Sequence, residues 1–309
     1  MQKFCIDRNT FLGLSAILLW SMSVALTRSI AEQIGPLTTG AYVCLAGGLL
    51  FFVCHFLLVK RSVKELWKLP HLYLFGCGLL FVIYTVTLYL ALGIAANRSQ
   101  TLEVGLVNYL WPTLSILFSL ILLAKKGRIG LIPGTLLALI GVFLALTHRT
   151  KVSWSSFLSN FLSNPSAYSL ALVAAVSWAL YSNLTRRWAG NSSGGAVPLF
   201  IIITGIALLF LRFLHPEDSS YSSRLVLEVA CLSLATTLGY IFWDIAMRKG
   251  DVLLVMAFSY LTPFFSTVVS CIYLRVIPGS RLWLGCFLIV VGSFLSWRSI
   301  ESQKYLNSI

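Results

Sequence analysis

Apolar runs of about twenty residues follow one another along the whole chain, separated by short polar connections. Coiled as a helix at about 1.5 Å per residue, such a run spans roughly 30 Å, the hydrocarbon thickness of a bilayer. Lipid offers no partners to backbone N–H and C=O groups, so uninterrupted apolar runs specify helices. We read ten, over residues 11–30, 37–59, 72–95, 102–123, 129–147, 167–188, 197–214, 225–247, 253–274 and 282–297. Composition agrees, since charged residues are 11% of the chain, against about a quarter in a soluble domain. The first run follows Lys3 and Arg8, but it is too long for a signal peptide and no small-residue cleavage site ends it. It is expected to stay as a helix.

The net charge of +13 raises the question of a nucleic-acid partner, and the placement of the charges answers it. With the N-terminus inside, fifteen of the 23 Lys and Arg fall on cytoplasmic ends of the spans, among them Lys60, Arg61, Lys125, Lys126, Arg248 and Lys249. That bias orients a membrane protein with both termini in the cytoplasm and calls for no polyanion. The seven cysteines are scattered, form no Cys-x-x-Cys pair and read as small apolar fillers. Because no His, Cys or carboxylate cluster has metal spacing and no P-loop is present, neither a metal, a cofactor nor catalytic residues are expected, and ATP-driven transport by this chain alone is excluded.

The chain repeats itself. An offset of 151 residues carries Pro112 onto Pro263, Ser115 onto Ser266, Ser119 onto Ser270, Gly134 onto Gly285 and Gly141 onto Gly292. An offset of 158 carries Trp20, Thr27 and Arg28 onto Trp178, Thr185 and Arg186. Each half then holds five spans, and an odd number of crossings makes the second half enter from the opposite side. The expected fold is an all-α membrane protein of ten transmembrane helices as two inverted five-helix repeats, 1–148 and 167–309, joined by an external linker, 149–166. The linker could lie as an amphipathic helix on the external surface, and residues 215–224 read as a plain external turn.

Polar and aromatic residues inside the spans are the candidates for function, because polar groups facing lipid are costly. Asn108, Trp111, Ser115 and Ser119 share one helical stripe, and Ser259, Thr262, Ser266 and Ser270 share another. For the hydroxyls, packing onto their own backbone is an equal reading. Asn108 differs, since an amide cannot satisfy its hydrogen-bonding sites locally. Pro112 and Pro263 should kink their helices as a gate. Trp20, Tyr84, Trp178 and Tyr181 would wall a site for a planar solute. Glu103 and Arg28 either anchor the ends of their helices or gate the external mouth, and Asp244 reads as an anchor. Gly134, Ala138, Gly141, Gly285 and Gly292 form either a dimerisation face or a seam closing the bundle.

Several segments carry a resemblance: Leu80-Phe81-Val82 with Tyr84, the run from Glu103 through Asn108-Tyr109-Leu110-Trp111-Pro112, Ile116-Leu117-Phe118, Pro133-Gly134-Thr135, and Ser259-Tyr260 with Thr262-Pro263. With these the whole chain resembles the drug/metabolite transporter superfamily, in its ten-helix branch built from two EamA-type halves, and within it the bacterial exporters of aromatic amino acids. The resemblance implies a multi-pass inner-membrane protein that exports phenylalanine, tyrosine and tryptophan through a central cavity including Trp20, Tyr84, Asn108, Trp111, Trp178 and Ser259. It is loose over 5–8 and 168–185, and the latter stretch contributes cavity residues. Expected partners are a small solute and the bilayer, with the chain a monomer or weak homodimer. A permease of the same fold for a purine, nucleoside or S-adenosylmethionine, and a scaffold that transports nothing, stay open as alternatives.

Overall fold

A computed structural model describes residues 7–58, 63–147, 154–189, 192, 194–273 and 280–301; Lys3, Cys5, Lys60 and Arg61 lie outside them, and the side chain of Ser270 is likewise not described. The long helices are α1 (Arg8–Ile34), α2 (Pro36–Leu58), α3 (Gly78–Gly93, entered through a π-helical turn, Leu72–Cys77), α6 (Leu131–Thr147), α8 (Pro165–Trp188), α9 (Val197–Leu214), α10 (Ser223–Lys249) and α13 (Ser280–Arg298). Two of the sequence runs are interrupted, one into α4 (Arg98–Asn108) and α5 (Trp111–Leu122), the other into α11 (Val252–Phe258) and α12 (Thr262–Tyr273). A short α7 (Trp154–Ser163) lies in the linker. Among the described residues seven helices are long and apolar enough to cross a bilayer, or eight if α1, bent by 45°, counts as one span. Two shorter apolar helices, Leu131–Ala145 and Val252–Ser266, accompany them. The chain is therefore a multi-pass, helical membrane protein. Its one departure from all-helix among the described residues is a two-residue ladder, β1 (Lys126–Gly127) on β2 (Ile300–Glu301).

Helix starts are written in local chemistry. Asp7, Asn97, Asn164, Ser222 and Asp251 each accept a hydrogen bond from the backbone N–H three residues on, satisfying a donor the helix cannot. α2 opens with Pro36 and has no such residue before it. Its cap comes from far along the chain: Glu217 accepts from the backbone N–H of Leu37 at 2.9 Å and of Thr38 at 2.8 Å. A carboxylate suits the positive end of a helix dipole. Gly35, at φ 83°, lets the chain pass this carboxylate, which a Cβ there would strike. The stretch 215–224 is thus a capping element, correcting its reading as a plain turn; sequence spacing gave no sign of a partner 180 residues away.

Packing links helices distant in sequence: α1 lies on α10 and α12, α8 on α3 and α5, α2 on α9, and α6 on α13. The last pair shows why the small residues are there. A Cβ on Gly141 would sit 2.6 Å from the Gly285 carbonyl oxygen and from the Ile289 nitrogen, and one on Gly285 would sit 2.8 Å from the Ala145 nitrogen. Backbones touch, which is how helices gain dispersion energy when lipid supplies no hydrophobic drive. The small residues close the bundle within one chain, the second of their two sequence readings. Outward faces carry apolar side chains, such as Phe210, Phe213 and Ile121.

Gly141→Leu should cost about 1–3 kcal/mol through forced separation of α6 from α13, lowering the unfolding temperature in detergent. Ile140→Leu, one residue away on an exposed face, should leave that temperature unchanged.

Candidate functional site

Where α1, α3, α5, α8 and α10 converge, aromatic rings meet. Trp178, on α8, is fully enclosed. Its ring centroid lies 4.5 Å from Tyr84, 5.0 Å from Tyr181, 5.5 Å from Tyr240, 5.7 Å from Trp20, 6.0 Å from Phe81 and Trp243, and 6.3 Å from Trp111. Tilted and edge-on ring pairs add about 0.5–1.5 kcal/mol each beyond area burial, so the cluster is both a stacking surface and a strong joint. Five of the candidates, Trp20, Tyr84, Trp111, Trp178 and Tyr181, come together here.

Phe81, Tyr240 and Trp243 join them and were not singled out from sequence as binding residues. The signal existed: an offset of 159 places Phe81 on Tyr240 and Tyr84 on Trp243. Under these offsets the contacts fall into mates. Tyr84 on Trp178 at 4.5 Å matches Trp243 on Trp20 at 5.2 Å, and Phe81 on Trp178 at 6.0 Å matches Tyr240 on Trp20 at 5.6 Å. Phe81–Tyr240 at 4.8 Å and Trp20–Trp178 at 5.7 Å are their own mates.

Five buried side-chain atoms among the described residues have no partner, Asn183 Oδ1, Thr185 Oγ1, Ser293 Oγ and, beside the rings, the Trp20 indole Nε1 and the Asn108 Oδ1. Of the last two, one donates and the other accepts. Asn108 is the last residue of α4, placed there because the helix breaks at Tyr109 and Leu110 before α5 begins at Trp111 with Pro112 in its first turn. The mirrored break spans Ser259–Leu261, just before Pro263. The Tyr84 hydroxyl interacts with Tyr240 and with Asn108. Tyr84, Tyr89 and Tyr109 are half-buried. On α4, Gly105 has nothing within 4 Å of where its Cβ would be.

Three of the stripe hydroxyls bond to nearby carbonyls. Ser115 donates to the Trp111 carbonyl at 2.7 Å, Ser259 to Met256 at 2.6 Å and Thr262 to Ser259 at 2.8 Å, each to a carbonyl three or four residues back. Asn183, absent from the sequence candidates, donates from Nδ2 to the carbonyls of Ser115 and Ala179, both at 2.9 Å. That bond ties α8 to α5.

The intramembrane charges are all engaged. Glu103 is buried, accepts from Asn160 Nδ2 at 3.1 Å and from the Tyr168 hydroxyl, and so joins α4 to α7 and to the head of α8. Arg28 pairs with Glu32 at 3.0 Å on an exposed face, a contact worth little in energy. Each is bonded separately. Asp244 pairs with Arg248 at 2.8 Å, but in the interior.

The EamA-like transporter family matches the chain twice, over residues 9–147 and 165–298. The chain is 34% identical over 293 residues to the aromatic amino acid exporter YddG of Escherichia coli (strain K12), covering 94% of this chain and 97% of that one. It is 30% identical over 295 residues to the aromatic amino acid exporter YddG of Ancylobacter novellus, covering 92% and 95%. A protein of known crystal structure superposes with a TM-score of 0.78 at 28% identity, over 93% of this chain and 96% of the other.

Trp178→Ala should destabilise the protein by about 3–5 kcal/mol, the range for emptying a buried aromatic site. Ser115→Ala should cost under about 1 kcal/mol, because its hydroxyl only supplements a helix carbonyl. Thermal unfolding in detergent compares the two.

Proposed function

This chain belongs to the EamA-like transporter family, and from that premise we propose that it exports aromatic amino acids, phenylalanine, tyrosine and tryptophan, through the cavity at the ring cluster. The observation that carries this reading is the pair of unpartnered polar atoms of opposite sense set among aromatic rings. A free amino acid has a carboxylate to accept from Trp20 Nε1, an ammonium to donate to Asn108 Oδ1, and a planar side chain to stack among Tyr84, Trp178 and Tyr240. The names of the Escherichia coli and Ancylobacter novellus relatives point to the same solutes. Trp111, Tyr181, Ser115, Ser259 and Thr262 support this wall from behind.

The architecture that fits is ten spans, counting α4 with α5 and α11 with α12 as one each, in two inverted halves, 1–148 and 167–309. Three observations support it: the twofold family match, the mated ring contacts, and a packing pattern in which α1 takes α10 and α12 as α8 takes α3 and α5. The basic residues favour both termini on the cytoplasmic side of a bacterial inner membrane. The two halves rock against each other so that the cavity opens to either side in turn, with the breaks before Pro112 and Pro263 as hinges. Glu103 sets the outer gate by holding α4, α7 and α8 together, and Arg28 anchors the outer end of α1. One chain completes the site, so the monomer is the working unit.

Uptake of radiolabelled phenylalanine and tryptophan into proteoliposomes holding only this chain tests the reading. Saturable flux competed by aromatic amino acids is expected. Competition by nucleosides or S-adenosylmethionine alone would reassign the substrate, and no flux under any gradient would leave a scaffold. Asn108→Ala and Trp20→Phe should each weaken apparent affinity about 10-fold, the loss of roughly one hydrogen bond to a charged ligand group. Pro112→Ala and Pro263→Ala should change maximal rate more than KM, and the reverse would remove the hinge.

A further inference from the structure

A buried polar assembly built on an ion pair lies at the far end of α10, beside the ring cluster. Asp244 and Arg248 are both buried, and Arg248 Nε donates to Asp244 Oδ2 at 2.8 Å. The other carboxylate oxygen accepts from the Tyr73 hydroxyl at 2.9 Å and the Tyr181 hydroxyl at 3.2 Å. Tyr73 also receives the Ala196 backbone N–H at 3.1 Å, while Arg248 Nη1 reaches the Ser192 carbonyl at 3.0 Å. Arg186 Nη1 donates to the Arg248 carbonyl. One ion pair thus holds the turn leading into α3, the end of α8, the α8–α9 loop and the end of α10. The loop is pressed onto it: a Cβ on Gly195 would lie 2.6 Å from Asp244 Oδ2 and 2.9 Å from Arg248 Nη2.

The assembly breaks the repeat. The offsets that mate the rings carry Asp244 onto Thr85, Arg248 onto Tyr89, Tyr73 onto Leu232 and Tyr181 onto Ser23. None of these counterparts is charged; Thr85 donates to the Phe81 carbonyl and meets the Tyr240 hydroxyl, and Ser23 donates to the Trp20 carbonyl. The opposite end of the bundle is held by other groups, the buried Glu103 bonded to Asn160 and Tyr168 and the buried Glu228 paired with Arg224. Tyr181 also stacks on Trp178 at 5.0 Å, so the lock and the ring cluster share a wall.

We propose that Asp244, Arg248, Tyr73 and Tyr181 form a latch that closes the solute cavity on the face carrying Arg186 and Arg248, and that the latch must part for solute to enter from that face. The proposal rests on the transporter reading above. The two gates then part differently: this one by breaking a buried ion pair and two phenol bonds, the outer one by releasing the Glu103 carboxylate from Asn160 and Tyr168. These four are positioning residues for the gate and touch no solute.

Cys77 is a built-in reporter. It is buried and lies on the same turn as Tyr73. Cys44, equally buried on α2, serves as a control for general loosening. Proteoliposomes of wild type, Tyr73→Phe and Asp244→Asn are treated with N-ethylmaleimide, and each cysteine's modification rate is read by peptide mass spectrometry. The expected result is modification of Cys77 at least about 5-fold faster in both variants, Cys44 unchanged, and phenylalanine affinity, measured by tryptophan fluorescence, unchanged. Equal Cys77 rates in all three proteins would overturn the latch, as would parallel acceleration at Cys44. Should Asp244→Asn fail to fold, Tyr73→Phe, which removes a single hydroxyl, decides alone. Phenylalanine flux through the wild-type protein separates failure of the latch from failure of the transporter reading.

Discussion

Everything in this chain answers to one constraint, that a polar group inside lipid must find its partner within the protein. Backbone groups find theirs in helices, and the helix ends recruit Asp7, Asn97, Asn164, Ser222, Asp251 and the distant Glu217. Serines and threonines fold back onto carbonyls one turn away. Charges are matched, Glu103 by Asn160 and Tyr168, Asp244 by Arg248 and two phenols. Among the described residues five buried side-chain atoms have no partner, Trp20 Nε1, Asn108 Oδ1, Asn183 Oδ1, Thr185 Oγ1 and Ser293 Oγ, and the first two lie beside the rings. Leaving a buried donor or acceptor unmet costs about 1–3 kcal/mol each, a cost that a bound solute can return.

Duplication explains how the centre is built and asymmetry explains how it could act. The ring contacts come in mates, so either half can offer the same surface to a solute between them. Yet the mates differ in surroundings: Trp178 is enclosed, with Tyr181 stacked on it and Asp244 behind, whereas Trp20 keeps accessible area and a free indole N–H. A pair of equivalent elements in unequal states is what a two-state device looks like when caught in one of them.

The sequence made the apolar helices and the twofold family match legible, because apolar length and polar recurrence are local properties. Trp20, Tyr84, Trp111, Trp178 and Tyr181 were legible too, as rings placed at repeated positions inside spans. What stayed hidden were pairings across the fold. Glu217 capping α2, Tyr168 meeting Glu103 and Tyr73 meeting Asp244 join residues 180, 65 and 171 positions apart, and spacing carries no trace of such contacts. Pro112 shows a subtler limit. Proline marked the site of a kink, but the helix breaks two residues earlier, at Tyr109 and Leu110, because proline is welcome in the first turn of a new helix.

Specificity and turnover pull such a site in opposite directions. A carrier that held its solute by many hydrogen bonds would release it slowly, and one that relied on rings alone would accept any flat molecule, since stacking is tolerant of identity. Two polar atoms of opposite sense among rings meet both demands. They reject solutes that lack a neighbouring donor and acceptor, because such solutes would leave Trp20 Nε1 and Asn108 Oδ1 buried and unmet, while the attraction they add for the right solute stays at a few kcal/mol. Trp20 lies on α1 and Asn108 on α4, at the end of the helix before the break. In the proposed mechanism a hinge at that break would separate the donor from the acceptor, so that release would follow from the motion that opens the cavity.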